Sequence, residues 1–264
     1  MKKLIVSCII ILMIRQLPAQ NTCIDSCEFK MKEYPILWQQ RAAEYRALCY
    51  QAFNLAALRL NQLPATKMRK AIITDLDETI LDNSYQQAEL IANNQPYTNK
   101  SWKDWTDRSS ATAVPGAVEF LQKAKQKGIT IFYISNRDTS EVKSTLLNLQ
   151  KLKLPNTDVA HMLFLSNTSS KEARRQLVMK KYSVVLLLGD NLNDFMQVFE
   201  KKNSDDRFAE TDKVKAEWGK KFIVLPNPSY GEWENAIYDY DRTLTPEQKE
   251  TKRKEKILVT PGGK

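Results

Sequence analysis

The run Asp75-Leu76-Asp77-Glu78-Thr79 follows Ala71-Ile72-Ile73-Thr74, four residues that read as a short buried strand. A carboxylate placed there can attack a phosphorus atom, forming an acyl phosphate that water later removes. Both nucleophile and phosphoryl group are anionic, so the attack needs a cation. Mg²⁺ accepts oxygen ligands and keeps part of its water, so two or three protein oxygens suffice. Asp190, after the apolar run Val184 to Leu188, can supply one, and Asp194 can steady the metal's waters. Asp77 is placed to protonate the leaving alkoxide, and burial beside other carboxylates favours the proton it needs. An acidic working pH follows from that assignment.

Other phosphatase chemistries are excluded by composition. The 264 residues include one histidine, His161, too few for a histidine nucleophile or a histidine-rich binuclear metal site. His161 reads as structural. The four cysteines, Cys8, Cys23, Cys27 and Cys49, have no nearby imidazole and make a poor zinc cluster. Lys2 and Lys3, an apolar run from Leu4 to Ile14, and Ala19 describe a signal peptide over residues 1–20. Its removal leaves three cysteines and takes three cations from the formal charge of +9. Cys23 and Cys27 could bridge, or one could carry a lipid, and Cys8 follows a lipobox-like Ile5-Val6-Ser7. The pairing and the anchor stay open. No basic patch interleaved with aromatics points to a nucleic-acid polymer. Lys249, Lys252, Arg253, Lys254, Lys256 and Lys264 make residues 241–264 a basic tail, usually a solvated face.

Elements that could position these groups follow in order. A helical pattern spans Leu37 to Leu60, and residues 82–112 form a polar, aromatic insertion. Pro115-Gly116 opens a helix over Ala117 to Gln126 with Gly128 at its end, before a strand from Ile129 to Ile134. Ser140 to Leu149 is a helix, Met162 to Leu165 a strand, and Ser169 or Ser170 starts a further helix. Phe222 to Leu225 is the last strand, and Thr245, Pro246 and Gln248 start a tail helix with a capping box. Strands alternating with helices mean an α/β, doubly wound, mostly parallel sheet. Ligands sit beyond the carboxyl ends of such strands. Asp75 and Asp77, Ser135 and Asn136, and Asp190 and Asp194 all fall there.

Two stretches resemble a known family. Ile73 to Asn83 is similar to the first signature of the class C bacterial acid phosphatases, in the four-aspartate branch of the haloacid dehalogenase-like superfamily. Val185 to Phe195 resembles their second signature, and the likeness runs from about Leu37 to Tyr240. The resemblance implies a haloacid dehalogenase-like sheet with a smaller helical cap built from the N-terminal helix, the insertion and the C-terminal segment. It implies an acid phosphatase domain over 21–240, with 21–70 its N-terminal helical part. Residue by residue, Asp75 becomes nucleophile and metal ligand, and Asp77 the acid/base and a ligand through its carbonyl. Asp190 becomes a side-chain ligand and Asp194 its neighbour, all on Mg²⁺. Ser135 and Asn136 would hold phosphoryl oxygens, and Lys171 would neutralise the phosphate. One residue, Ser84, separates Asn83 from Tyr85 where the family has two, which bears on leaving-group preference.

Several relatives are outer-membrane lipoproteins that dephosphorylate nucleotides, with an aromatic slot for the base. Tyr230 matches such a position, and Tyr97, Trp102 and Trp105 of the insertion are candidates for the opposite wall. The reading is therefore an exported acid phosphatase and 5′-nucleotidase acting on small phosphomonoesters. It would reside in the periplasm, at the outer membrane or outside the cell; a homodimer is left open. The alternatives are phosphotransfer to an alcohol on the same scaffold, and a surface binding or adhesion lipoprotein that uses the scaffold as a carrier.

Overall fold

A computed structural model describes residues 21–165 and 167–260, with backbone alone over 21–30. The signal peptide, Cys8 and any pairing of Cys23 or Cys27 lie outside what it describes; Cys49 is a buried free thiol. Five strands form one parallel sheet: β1 (Lys70–Thr74), β4 (Thr130–Ile134), β5 (Met162–Leu163), β6 (Ser183–Gly189) and β7 (Phe222–Val224). They lie in the order β5-β4-β1-β6-β7. A second, antiparallel ribbon pairs β2 (Leu81–Asp82) with β3 (Thr112–Ala113). The α/β, mostly parallel sheet expected from the sequence is the one observed.

Alternation along β1 explains why its apolar run is continuous. Ile72 points into one core with Ile131, Leu186, Phe53 and Phe120, while Ala71 and Ile73 point into another with Phe132, Leu187 and Phe195. A sheet covered on both faces leaves no polar side to the strand. The first core is closed by α2 (Ala43–Asn61) and α5 (Ala117–Gln126). The helix α7 (Glu172–Met179) contributes Val178 to the second. Register fixes the site: Thr74 lies between Tyr133 of β4 and Leu188 of β6. The next peptide continues the ladder, with Asp75 N–H donating to the Leu188 carbonyl at 2.9 Å. Asp75, Ser135 and Asp190 therefore emerge along one sheet edge.

Two expectations change. The helix expected from Leu37 to Leu60 is broken at Ala42, whose extended backbone (ψ 127°) separates α1 (Asn21–Arg41) from α2. Neither Gly nor Pro marks that break. The polar insertion is also more than a loop. It holds α3 (Ser84–Ala92) and α4 (Asn99–Arg108), and α4 begins with a reciprocal Thr98–Ser101 capping box. The ribbon β2–β3 pins both ends of the insertion, bringing Ala111 and Val114 into the core. The remaining helices are α6 (Val142–Lys151), α8 (Ser204–Lys213), α9 (Glu232–Ile237) and α10 (Pro246–Lys256). The last has the Thr245–Gln248 capping box read from the sequence.

Phe120 is 3% exposed and packs its ring against Phe53 with centroids 5.6 Å apart. Phe120→Ala is expected to destabilise the fold by about 3–5 kcal/mol in urea unfolding, through lost burial and a residual cavity. A loss under about 1 kcal/mol would mean that this core collapses around the gap.

Candidate active site

Gly189 ends β6, and the chain then turns through Asp190 and Asn191 into a short 3₁₀ turn, Leu192–Asp194. Asn191 caps that turn, and its own N–H donates to Asp194 Oδ2 at 3.1 Å, so Asp194 folds back over the strand end. The approach is close enough that a Cβ on Gly189 would lie 2.7 Å from Asp194 Cγ. Lys171, at the start of α7, donates to Asp194 Oδ1 at 2.6 Å and forms a second ion pair with Asp75. Asp190 accepts from Asn227 Nδ2 at 2.7 Å and from Thr79 Oγ1 at 3.3 Å.

One carboxylate oxygen from each of Asp75, Asp190 and Asp194 lies within 4.8 Å of the others. Burial pushes the Asp75 carboxyl up to about 7, against the pull of Lys171 and with further upward push from Asp194 and Asp77. Burial, then Asp194 and Asp75, raise Asp190 well above the usual carboxylate range. Lys171 is held protonated beyond its ordinary range; burial opposes its charge, but Asp194 and Asp75 outweigh it. Among the described residues one lysine thus pairs with two of the three clustered carboxylates. Such an oxygen-only, crowded and charge-deficient set suits a hard divalent cation.

Asp77 faces a different partner. Arg137, 3% exposed, donates to its carboxylate from Nη2 at 2.7 Å and from Nε at 3.1 Å. Asn83 Nδ2 donates to the same carboxylate at 2.9 Å. Arg137 also bonds Thr145 at 2.9 Å and lies over the Trp102 ring, 5.4 Å from its centroid. Glu78 takes the left-handed conformation (φ 55°) and turns its carboxyl back to Asn83 N–H and the Tyr230 hydroxyl. Burial and the neighbouring Asp77 raise Glu78 to about 8.

A cleft of about 560 Å³ opens over this edge, lined by Asp75, Asp77, Asp190 and Asp194, with Asn136, Lys171, Tyr97, Trp102 and Tyr230. Tyr97 and Trp102 lie 6.3 Å apart. One residue expected at the substrate is placed elsewhere. Trp105 belongs to the main core, 6% exposed, and donates its indole N–H to Asn83, because the amphipathic α4 turns that face inward. Ser135 is 1% exposed; its hydroxyl lies 3.4 Å from Asp77 and accepts from the Arg137 peptide.

Several structural partners were not singled out in the sequence. Arg174 binds the Ser135 carbonyl at 2.7 Å and the Asn136 side chain at 2.6 Å. Arg175 binds the carbonyls of Asn193 and Asp194 at 2.7 and 3.0 Å. Their signal was available: they lie three and four residues beyond Lys171, on the same helix face. Arg137, directly after Ser135-Asn136, carried only the weaker hint of adjacency. Gln39 of α1, joined to Asp82 and to Ser229, had no local signal.

Known proteins share this sequence pattern and fold. The family model described as HAD superfamily, subfamily IIIB (acid phosphatase) matches residues 10–233. The structure is similar to the class C acid phosphatase from Bacillus anthracis, with 37% identity and a TM-score of 0.84 over 90% of this chain and 100% of that one. The tungstate-bound form of the Bacillus anthracis class C enzyme matches at 38% identity and a TM-score of 0.85, over 88% of this chain and 99% of that one.

Gly189→Ala tests the placement of Asp194. The added methyl group is expected to push Asp194 away from Lys171 and weaken divalent-cation binding by about tenfold or more, with the circular dichroism spectrum kept. Unchanged affinity by calorimetry would show that cation binding does not depend on that close approach.

Proposed function

From the membership of this chain in the acid phosphatases of HAD subfamily IIIB, phosphomonoester hydrolases, we propose a mechanism in which Asp75 is the nucleophile. The observation that carries it is the ion pair of buried Asp75 with Lys171 at the floor of the cleft. Asp75 attacks phosphorus, the bond from phosphorus to the ester oxygen breaks, and a phospho-aspartate forms. Asp77 gives its proton to the departing oxygen. Arg137 and Asn83, which donate to the Asp77 carboxyl group, stabilise the carboxylate that remains. Water then attacks the phospho-aspartate, returns a proton to Asp77 and releases inorganic phosphate. Lys171 and the Asn136 amide neutralise and orient the phosphoryl oxygens, while Arg174 holds Asn136. The tungstate on the Bacillus anthracis relative, a phosphate-like oxyanion, is consistent with an oxyanion site on this scaffold.

Mg²⁺ would be held by Asp75, Asp190 and the Asp77 carbonyl, with Asp194 alongside, and would supply charge compensation for the phosphoryl group. Tyr230, Tyr97 and Trp102 line the cleft and favour an aromatic leaving group, nucleotides above all. The enzyme is exported by a signal peptide over residues 1–20, and its catalytic domain spans 21–240 before the basic tail. Among the described residues no helix is long and apolar enough to cross a membrane.

Asp75→Asn is expected to remove turnover of p-nitrophenyl phosphate by more than about a hundredfold with the fold intact, since an amide forms no acyl phosphate. A smaller loss would contradict the covalent route. Chelation is expected to abolish activity and Mg²⁺ to restore it, and Asp190→Ala to need more Mg²⁺ for half-maximal rate. Full activity in excess chelator would overturn the metal assignment.

Removing one ring should cost a nucleoside monophosphate about 1–3 kcal/mol of stacking. Tyr230→Ala is therefore expected to lower its kcat/KM about tenfold more than that of glycerol phosphate. Equal losses for both substrates would assign Tyr230 to packing.

A further inference from the structure

The cleft that holds the carboxylates is also lined by Lys32, Lys201 and Arg242. The side chains of these three make no hydrogen bond or ion pair with another described residue. Cations nearer the reacting end behave differently: Lys171 and Arg137 are engaged with carboxylates, and Arg174 with carbonyl and amide oxygens. The three free cations come from separate segments. Lys32 lies on α1, Lys201 on the link into α8, and Arg242 on the turn between α9 and α10.

These segments are tied together. Ser170, beside Lys171, donates to Glu200 at 2.7 Å, which fixes the residue before Lys201. Tyr240 donates its hydroxyl to the Lys202 carbonyl at 2.9 Å, joining the Arg242 turn to the Lys201 link. The tail helix α10, which follows the Arg242 turn, packs on α1, which carries Lys32. The backbone is held in left-handed conformations at Lys201 (φ 53°), Asp239 (φ 51°) and Tyr240 (φ 61°). Residues with a Cβ avoid that region unless their surroundings impose it, and such positions gather at ligand clamps. Two carboxylates also line the cleft, Glu200, which accepts from Ser170, and Glu232, which accepts from Asn235; against them the three cations leave one positive charge in excess.

We infer that Lys32, Lys201 and Arg242 form a subsite for a second phosphate carried on the leaving group of the substrate. Three cations lining one cleft suit a dianion better than a single carboxylate. The inference rests on the proposed seating of the reacting phosphoryl group between Asp75 and Lys171. A contact remote from the reacting bond, equal in ground and transition states, acts on KM and leaves kcat alone.

The test compares adenosine 3′,5′-bisphosphate with adenosine 5′-monophosphate in wild type, in Lys32→Gln, Lys201→Gln and Arg242→Gln, and in the triple variant. Wild type is expected to favour the bisphosphate. Each single change should cut that preference about threefold and the triple change about thirtyfold, as exposed ion pairs acting additively would do. The loss should appear in KM for the bisphosphate, with KM for the monophosphate moving less than about twofold. A ratio that is the same in wild type and triple variant, or a wild type that prefers the monophosphate, would overturn the subsite alone. Failure of wild type to turn over either nucleotide would instead remove the nucleotide reading of the cleft, and this inference with it.

Discussion

Repulsion among buried carboxylates is the constraint around which this molecule is arranged. Two like charges 4.8 Å apart repel by about 3–4 kcal/mol at the effective dielectric of a protein, and three acids meet here within that distance. Among the described residues Lys171 is the one cation paired with two of them, which explains why burial and neighbours still leave Asp75 and Asp190 with raised affinity for protons. The surroundings supply the rest. Arg175 holds the acidic loop by its carbonyls, Asn227 and Thr79 donate to Asp190, and Arg137 takes Asp77 away into a separate pair. The helix α7 carries Arg174 and Arg175 and is preceded directly by Lys171, so one element and its cap orient both acidic loops and the Ser135-Asn136 turn.

A second dependence ties the aromatic wall to the chemistry. The Tyr230 hydroxyl reaches Glu78, whose other contacts are to Asn83, and Asn83 also bonds Asp77 and Trp105. Trp105 therefore acts from the core. It fixes Asn83, and Asn83 joins the loop after β1 to the insertion. The N-terminal helix enters the same network through Gln39, which spans Asp82 and Ser229. A change at Tyr230 is in this way a change at the loop that carries Asp75 and Asp77.

The sheet and the carboxylates were legible in the sequence because each strand is a short apolar run and each acid sits where a run stops. A sheet covered on both faces makes that boundary sharp, as at Thr74–Asp75 and Gly189–Asp190. The break at Ala42 was hidden because Ala is itself a strong helix former; tertiary packing sets it. Helices in the insertion were masked by its polar composition, although α4 carries a capping box and an inward tryptophan face. Trp105 and Trp102 are three residues apart, a spacing that places them on neighbouring parts of one helix face without saying which is lined by solvent. Partners distant in sequence, such as Arg137 with Asp77 or Gln39 with Ser229, follow from the fold and from no local pattern.

All of this arrangement is read as serving a covalent transfer to Asp75. The most direct measurement is rapid acid quench during turnover of a phosphomonoester, followed by mass spectrometry of the peptide that carries Asp75. The expected result is a phosphoryl group on Asp75 that appears before free phosphate and is cleaved by hydroxylamine, as an acyl phosphate must be. Phosphate released with inversion at phosphorus and no protein-bound phosphoryl group, or a phosphoryl group on another residue, would contradict the account.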